Sequence, residues 1–379
     1  MIWASLKQKC GRMDWTLFFL TVFMVSFGLL IQYALSLGQS FAASTFYRQL
    51  LFFGVGLVVF FLVAFSDFRF IKSLSYPFYF FSLFLLVLVL IKGETLRGAQ
   101  GWFVFSHFSF QPSELAKLAA IILLAKFWES GQKIFPFVRL LFSFAVALPA
   151  FFLILLQNDL GSALIIGIIS IGLSLMADRN PRHILYLLLG LAVIICSSWF
   201  LLKDYQKDRI INYMHPQKDL LGTGYQTNQS LIAIGSGGLF GRGLGLGSQS
   251  QTRLLPEVET DFTFAALSED FGFLGSFLFL FFDLFFLLRL IHLSRKVYDN
   301  YSLVLIVGVA LYFFSQITIN VGMNLGLFPV VGIPLPFLSY GGSSLLVSLL
   351  AVGLVEGVIV HQPSLQIQRL EKDQSIDTF

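Results

Sequence analysis

Residues 254–290 read LLPEVETDFTFAALSEDFGFLGSFLFLFFDLFFLLRL. The first half carries Glu257, Glu259, Asp261, Glu269 and Asp270, in a chain only 12% charged. The second half is apolar and long enough to cross a bilayer as helix. A polar segment therefore enters a membrane here. The new helix needs an oxygen acceptor for its free N–H groups, and Thr260 or Asp261 is expected to cap it. Capping needs one acceptor, not five carboxylates. Each acid taken into the apolar layer costs about 2.5–3.5 kcal/mol on insertion scales. The cluster marks a functional site, and Asp261 is its leading member.

Outward from this stretch the same pattern repeats. The chain has 379 residues, 56% hydrophobic and 16% aromatic. About a quarter of the residues of a soluble domain are charged. This composition, with apolar runs of roughly 18–25 residues, specifies an all-α polytopic membrane protein. Hydropathy places about ten spans, near 15–37, 46–66, 70–91, 114–128, 137–156, 160–177, 183–202, 262–290, 301–326 and 340–361. The whole chain, 1–379, is one membrane domain. Residues 1–14 and 362–379 are tails, and residues 203–260 form a long loop between spans seven and eight. The run 15–37 is too long for a signal peptide and reads as a retained span.

Lys and Arg sort the loops. Lys7, Lys9 and Arg12, Arg69 and Lys72, Lys133 and Arg139, Arg179 and Arg182, Arg289, Arg295 and Lys296, then Arg369 and Lys372 all fall on one side. The opposite short loops hold little beyond Arg48. The positive-inside rule then makes both termini cytoplasmic. Lys203–Thr260 is an outer loop with six basic residues, including Arg209 and Arg242. Long loops escape the rule, and basic groups beside an outer leaflet suit an anionic headgroup, although a solvated loop would look similar.

Several function classes fall away. Cys10 and Cys196 are the only cysteines and suggest neither disulfide nor metal site, and the five histidines lack ligand spacing. No Walker-type glycine loop is present, and no nucleic-acid partner is expected. The run IGSGGLFGRGLGLGSQS (234–250) reads equally as a flexible linker or a backbone cradle for phosphate. In QPSELAKL (111–118), Ser113 is expected as N-cap. Glu114 and Lys117 share one helix face, either as a self-neutralising pair or facing a polar cavity. Asp159 fits a tight outer turn. Pro329, Pro334 and Pro336, with neighbouring glycines, require a broken or re-entrant segment before span ten. Gly322 and Gly326 form a GxxxG pattern of the helix-packing kind. Asp283 and Glu356 are lone acids within spans.

Six stretches in series resemble one family: FQPSELAK (110–117), DLGSA (159–163), YQTNQSLIAIGSGGLFGRGLG (225–245), LPE (255–257), TDFTFA (260–265) and GIPLPFLSYGGSS (332–344). Their order and spacing are similar to those of the SEDS family (shape, elongation, division and sporulation), the group of RodA and FtsW. Chain length and short tails resemble the elongation branch. The resemblance implies a ten-span enzyme of the bacterial cytoplasmic membrane, a peptidoglycan glycosyltransferase polymerising lipid II, the undecaprenyl-diphosphate-linked disaccharide peptide. It implies Asp261 as catalytic residue and a class B penicillin-binding protein as partner. Substrate contacts are expected from Trp102, Glu114, Lys117, Asp159, Arg209, Gln226, Ser230 and Arg242. Four positions depart from the pattern: Gly101 stands for a basic residue, Asn158 for Pro, Glu259 for His and Asp270 for Glu.

The implied chemistry converts an α-linked diphosphate into a β-1,4 bond, an inversion that one general base can serve. Asp261 is assigned that role. Lys117, Arg209, Arg242 or a divalent cation (Mg or Mn) held at Asp159 or Asp261 would neutralise the departing diphosphate. No other cofactor is expected. Trp102 would stack on a sugar or anchor the interface. The rivals are a lipid II flippase, which should carry more charge at midplane, and a non-catalytic scaffold, which leaves the outer acids unexplained.

Overall fold

The structure is a computed structural model that describes residues 7–37, 42–96, 99–105, 108–130, 136–177, 223–252 and 254–376. The expected span 183–202, Cys196, Arg97, Lys133, Arg179, Arg182, Arg209, Arg253 and the first part of the long loop lie outside them.

The helices are α1 (Trp15–Leu37), α2 (Ala42–Phe65), α3 (Phe68–Ser73), α4 (Ser75–Lys92), α5 (Pro112–Ser130), α6 (Pro136–Leu156) and α7 (Leu160–Ala177). After the undescribed segment come α8 (Thr223–Ser236), α9 (Ser248–Gln251), α10 (Thr263–Ser294), α11 (Asn300–Asn324) and α12 (Gly342–Ile376). Among the described residues, six helices are long and apolar enough to cross a membrane, and α6 and α7 supply shorter apolar stretches. The chain is a multi-pass membrane protein. Helix α5 is buried on all sides from Ala116 to Ala125 and forms the centre of the bundle.

One end of the bundle is tied by charge. Asp14 precedes α1 and accepts from the Leu17 N–H at 2.9 Å. The Arg289 guanidinium forks onto both Asp14 oxygens, and the Asp14 N–H donates to Glu356 Oε2 at 3.0 Å. Glu356, a lone acid in the sequence, thus gains a partner 342 positions away. Asp283 is buried, and neither of its oxygens has a hydrogen-bond partner among the described residues.

Four expectations are corrected. The third span is not one helix but α3 and α4, divided at Leu74, with Asp67 accepting from the Arg69 N–H to start α3. Residues 94–110 are not plain loop. They form a small antiparallel sheet, β1 (Glu94–Leu96), β2 (Ala99–Val104) and β3 (Ser109–Phe110), in the order β1-β2-β3. Gly322 and Gly326 are not a helix-packing pair. Helix α11 ends at Asn324, and Gly322 O accepts from the Leu327 N–H at 2.8 Å in a turn.

The fourth correction concerns the glycine run, which is neither linker nor phosphate cradle. Helix α10 breaks at Gly272 (φ 66, ψ −162). A break strands backbone N–H and C=O groups, and apolar surroundings give them no water. The glycine run supplies the partners. Arg242 N–H and Gly243 N–H donate to Glu269 O and Asp270 O at 2.9 and 3.1 Å. Phe273 N–H and Leu274 N–H donate to Gly238 O and Leu239 O at 2.8 and 3.1 Å. A Cβ at Gly241 would lie 2.1 Å from Asp270 O, and one at Gly272 would lie 2.3 Å from Gly241 N. Only glycine permits so close an approach.

The segment 325–341 carries no regular helix, as its prolines require. Phe337 (φ 65) packs on Phe286 and Phe313, which buries the turn inside the bundle.

Candidate active site

Asp261 sits where the chain passes from the long loop into α10. The turn that delivers it is built on Glu257 (φ 55), whose carbonyl accepts from the N–H groups of Thr260, Asp261 and Phe262 at 3.2, 3.0 and 3.2 Å. The residue at the N-cap of α10 is neither Thr260 nor Asp261 but Phe262, whose side chain makes no cap hydrogen bond. Thr260 Oγ1 donates to Glu257 O at 3.3 Å instead. The first-turn N–H of Ala265 donates to Asn324 Oδ1 from the neighbouring helix at 3.2 Å. A tertiary partner thus serves the first turn of α10.

Two asparagines clamp the Asp261 backbone. Asn320 Nδ2 and Asn324 Nδ2 both donate to its carbonyl, at 3.0 and 3.1 Å. Asn320 Nδ2 also donates to Ile333 O at 2.7 Å, tying the re-entrant segment to the same point. Asp261 is 6% exposed, and its Oδ2 lies 3.5 Å from the Cβ position of Gly332. Two residues earlier, Glu259 O accepts from Gln32 Nε2 at 3.0 Å and from the Tyr340 N–H at 2.8 Å. The Glu259 side chain is half-buried, and that of Glu257 is exposed.

Asp159 flanks the segment 331–333 from the other side. Gly161, two residues on, abuts Val331 O and Ile333. Asp159 Oδ1 accepts from the Ser162 N–H at 2.9 Å, and so caps α7 as the turn reading expected. Its Oδ2 accepts from Gln111 Nε2 and Ser113 Oγ at 3.0 and 3.2 Å. Ser113 therefore does not cap α5, which begins one residue earlier at Pro112. The Gln111 N–H donates to Ser343 Oγ, so the starts of α5 and α12 meet here.

Deeper in the bundle, Lys117 Nζ donates to Glu114 Oε1 at 2.7 Å, and Tyr312 Oη donates to Glu114 Oε2 at 3.1 Å. Lys117 has no exposed surface and lies over the Tyr312 ring. The self-neutralising reading describes the pair. Tyr312, Gln316, Asn320 and Asn324 recur every four residues, so they form one polar stripe down α11. Between Tyr312 and Asn320 the stripe is ~12 Å long at 1.5 Å per residue. Its two ends meet the ion pair, through Tyr312, and the Asp261 carbonyl, through Asn320. Neither atom of the Gln316 amide has a hydrogen-bond partner among the described residues.

The other expected contacts scatter. Ser230 is buried and donates to Asn324 O at 2.9 Å, which places it behind Asp261 as support. Gln226 is half-buried in α8. Trp102 is half-buried in β2 opposite Glu94. Arg242 is exposed, with its guanidinium on Ser236 O and Ser248 Oγ. Among the described residues no three His, Cys, Asp or Glu side chains converge as metal ligands. Both Asp159 oxygens accept hydrogen bonds. The sequence reading missed Asn320, Asn324 and Tyr312. Their signal is amide and phenol groups at four-residue spacing inside an apolar span.

A multi-pass bundle with a clamped carboxylate at a loop-to-membrane junction defines the class. A family model described as a cell cycle protein, FtsW/RodA/SpoVE, matches residues 13–363. Stage V sporulation protein E of Bacillus subtilis (strain 168) is 39% identical over 355 residues, 91% of this chain and 96% of that protein. Peptidoglycan glycosyltransferase MrdB of Escherichia coli (strain K12) is 34% identical over 321 residues, 82% of this chain and 84% of the relative. Among solved structures, a chain of a peptidoglycan synthase complex described for polymerization and crosslinking has a TM-score of 0.78 at 32% identity, covering 92% of this chain and 98% of that one. The rod shape determining protein RodA of Thermus thermophilus has a TM-score of 0.68 at 30% identity, covering 92% and 97%. The chain belongs to the FtsW/RodA/SpoVE family, the SEDS proteins.

Proposed function

We propose that this chain is a peptidoglycan glycosyltransferase that polymerises lipid II by inversion, with Asp261 as general base. One observation carries the reading: Asp261 is a nearly buried carboxylate whose backbone is held by two asparagines of another helix. Two asparagines of one helix spent on a single carbonyl exceed what a turn or a cap requires. A base must sit within hydrogen-bond reach of the proton it removes, and held geometry of this kind supplies that. The acceptor sugar hydroxyl would give its proton to Asp261 while its oxygen attacks the anomeric carbon of the lipid-linked donor. The lipid diphosphate leaves from the opposite face.

The charge of the leaving diphosphate falls to the outer loop. Lys117 is neutralised by Glu114, and Arg242 is held on Ser236 and Ser248. Arg209 keeps its candidacy. Trp102 would face a sugar, and Gln226 lies on the helix that Ser230 anchors. The end of the bundle holding Asp14, Arg289 and Glu356 is assigned to the cytoplasm by the basic-loop asymmetry, which puts Asp261 and Asp159 outside, where polymer is made. Both termini are then cytoplasmic, in a bacterial inner membrane. The solved relative within a peptidoglycan synthase complex supports a partner of the class B penicillin-binding type.

The test is polymerisation of purified lipid II by this protein, alone and with its co-expressed partner, comparing wild type with Asp261→Asn. Loss of about 10²–10⁴-fold with an unchanged melting temperature is expected. Equal product from both proteins would move the base elsewhere.

A further inference from the structure

We propose that Glu269 is the positioning residue for Asp261, closing as a clasp the ring of chain that presents it. This rests on Asp261 as the base. Glu269 is fully buried two turns below Asp261 on α10, and no step of the transfer uses it. Its Oε1 accepts from the Gln249 N–H and its Oε2 from the Ser250 N–H, both at 2.9 Å. Ser236 Oγ and Ser248 Oγ add longer bonds to Oε1, each at 3.4 Å. Among the described residues Glu269 makes no ion pair. The Arg242 guanidinium is held on Ser236 and Ser248.

The two backbone contacts join positions 20 and 19 residues apart. Between them runs everything that delivers Asp261. Leu255 N–H returns to Gln249 O at 3.3 Å, the Glu257 turn follows, and Asp261 and the first turns of α10 complete the ring. The ring is fastened to its surroundings by Gln251 Nε2 on Ala34 O, by Gln32 Nε2 on Glu259 O, and by Asn320 and Asn324 on Asp261 O. At its base the closing contact is the Glu269 carboxylate, beside the glycine-run splint of the Gly272 break. A carboxylate suits the task because it accepts from two neighbouring N–H groups at once, and the short helix α9 leaves those donors free. An uncharged amide at the same place offers one oxygen and turns an N–H₂ toward the second donor.

Opening the clasp leaves Asp261 in place on its asparagines but frees the incoming chain, so its carboxylate loses direction. Substrate contacts elsewhere are untouched. Glu269→Gln should lower kcat about tenfold with KM for lipid II unchanged, since small displacements of a reacting group are costly. Glu269→Asp keeps the acceptor pair on a shorter stem and should keep part of the rate. Hydrogen exchange by mass spectrometry on the full-length protein in detergent separates this role from general loss of structure. In Glu269→Gln, amides of 247–262 should exchange faster while those of 273–294 stay protected. Faster exchange through 273–294 would make Glu269 merely structural and overturn the proposal. Wild-type exchange at 247–262 in that variant would overturn it too, whatever the activity. Asp261→Asn serves as the control: it should lose turnover with protection of 247–262 intact. Activity retained there would sink the base reading and leave the exchange result standing as a fact about the ring.

Discussion

Replacing Asn320 with leucine tests whether the α11 stripe serves catalysis through Asp261. The side chains are similar in volume, so the change removes polar atoms without opening a large cavity. Three bonds are lost: those that Nδ2 donates to Asp261 O at 3.0 Å and to Ile333 O at 2.7 Å, and a longer one, 3.3 Å, that Oδ1 accepts from Asn324 Nδ2. Asp261 O keeps its bond from Asn324, but Ile333 O loses its side-chain donor. A buried acceptor left without a partner costs about 1–3 kcal/mol, and a net hydrogen bond about 0.5–1.5 kcal/mol. The sum, ~2–4 kcal/mol, falls on the contact between Asp261 and the re-entrant segment. If half of it appears as misplacement of the base, kcat falls by about 5- to 30-fold, at 1.4 kcal/mol per decade. The assay is a double-mutant cycle in lipid II polymerisation. Asn320→Leu should slow the wild type but have almost no further effect in an Asp261→Asn background. Equal fold losses in both backgrounds would refute the idea that Asn320 acts through Asp261.

Other consequences follow from the same contacts. Gly272→Ala forces a Cβ to 2.3 Å from Gly241 N at φ 66, so the folded yield and melting temperature in detergent should drop, by at least about 1–3 kcal/mol of stability. A variant as stable as wild type would mean that the glycine run is not locked into the break. Lys117→Met or Glu114→Gln alone should destabilise by about 3–5 kcal/mol, because each strands a partner in the interior. The double replacement should recover much of that loss in the same melting assay, and a double variant no better than the worse single would argue against mutual neutralisation.

The span pattern was legible because bilayer thickness dictates the length of apolar runs, and helices α1, α2, α6, α7, α10 and α11 begin and end within a few residues of their expected bounds, whereas α12 continues to Ile376, fifteen residues past the expected end of the last span and into the expected tail. Asp261 stood out as a candidate because carboxylates at the head of a membrane span are costly and demand a reason. The small sheet at 94–110 and the helix α8 were not. TGYQTNQS has too few apolar residues to advertise a buried helix, and the sheet's strands are six residues or shorter. The glycine run misled for a different reason: glycine looks the same in a flexible linker and at a tight backbone contact.

The sequence by itself determined the class of protein, the place where a polar loop meets an apolar run, and the acid proposed as the base, since hydropathy and the cost of buried charge act residue by residue. Only the tertiary structure decided which groups hold that acid. The partners of Asp261, Glu269 and Glu356 lie 59, 20 and 342 positions away, and a backbone N–H or carbonyl carries no mark in the sequence. Which donor meets which acceptor is set by how the helices pack, because in an apolar interior each exposed polar group must find its partner within the protein.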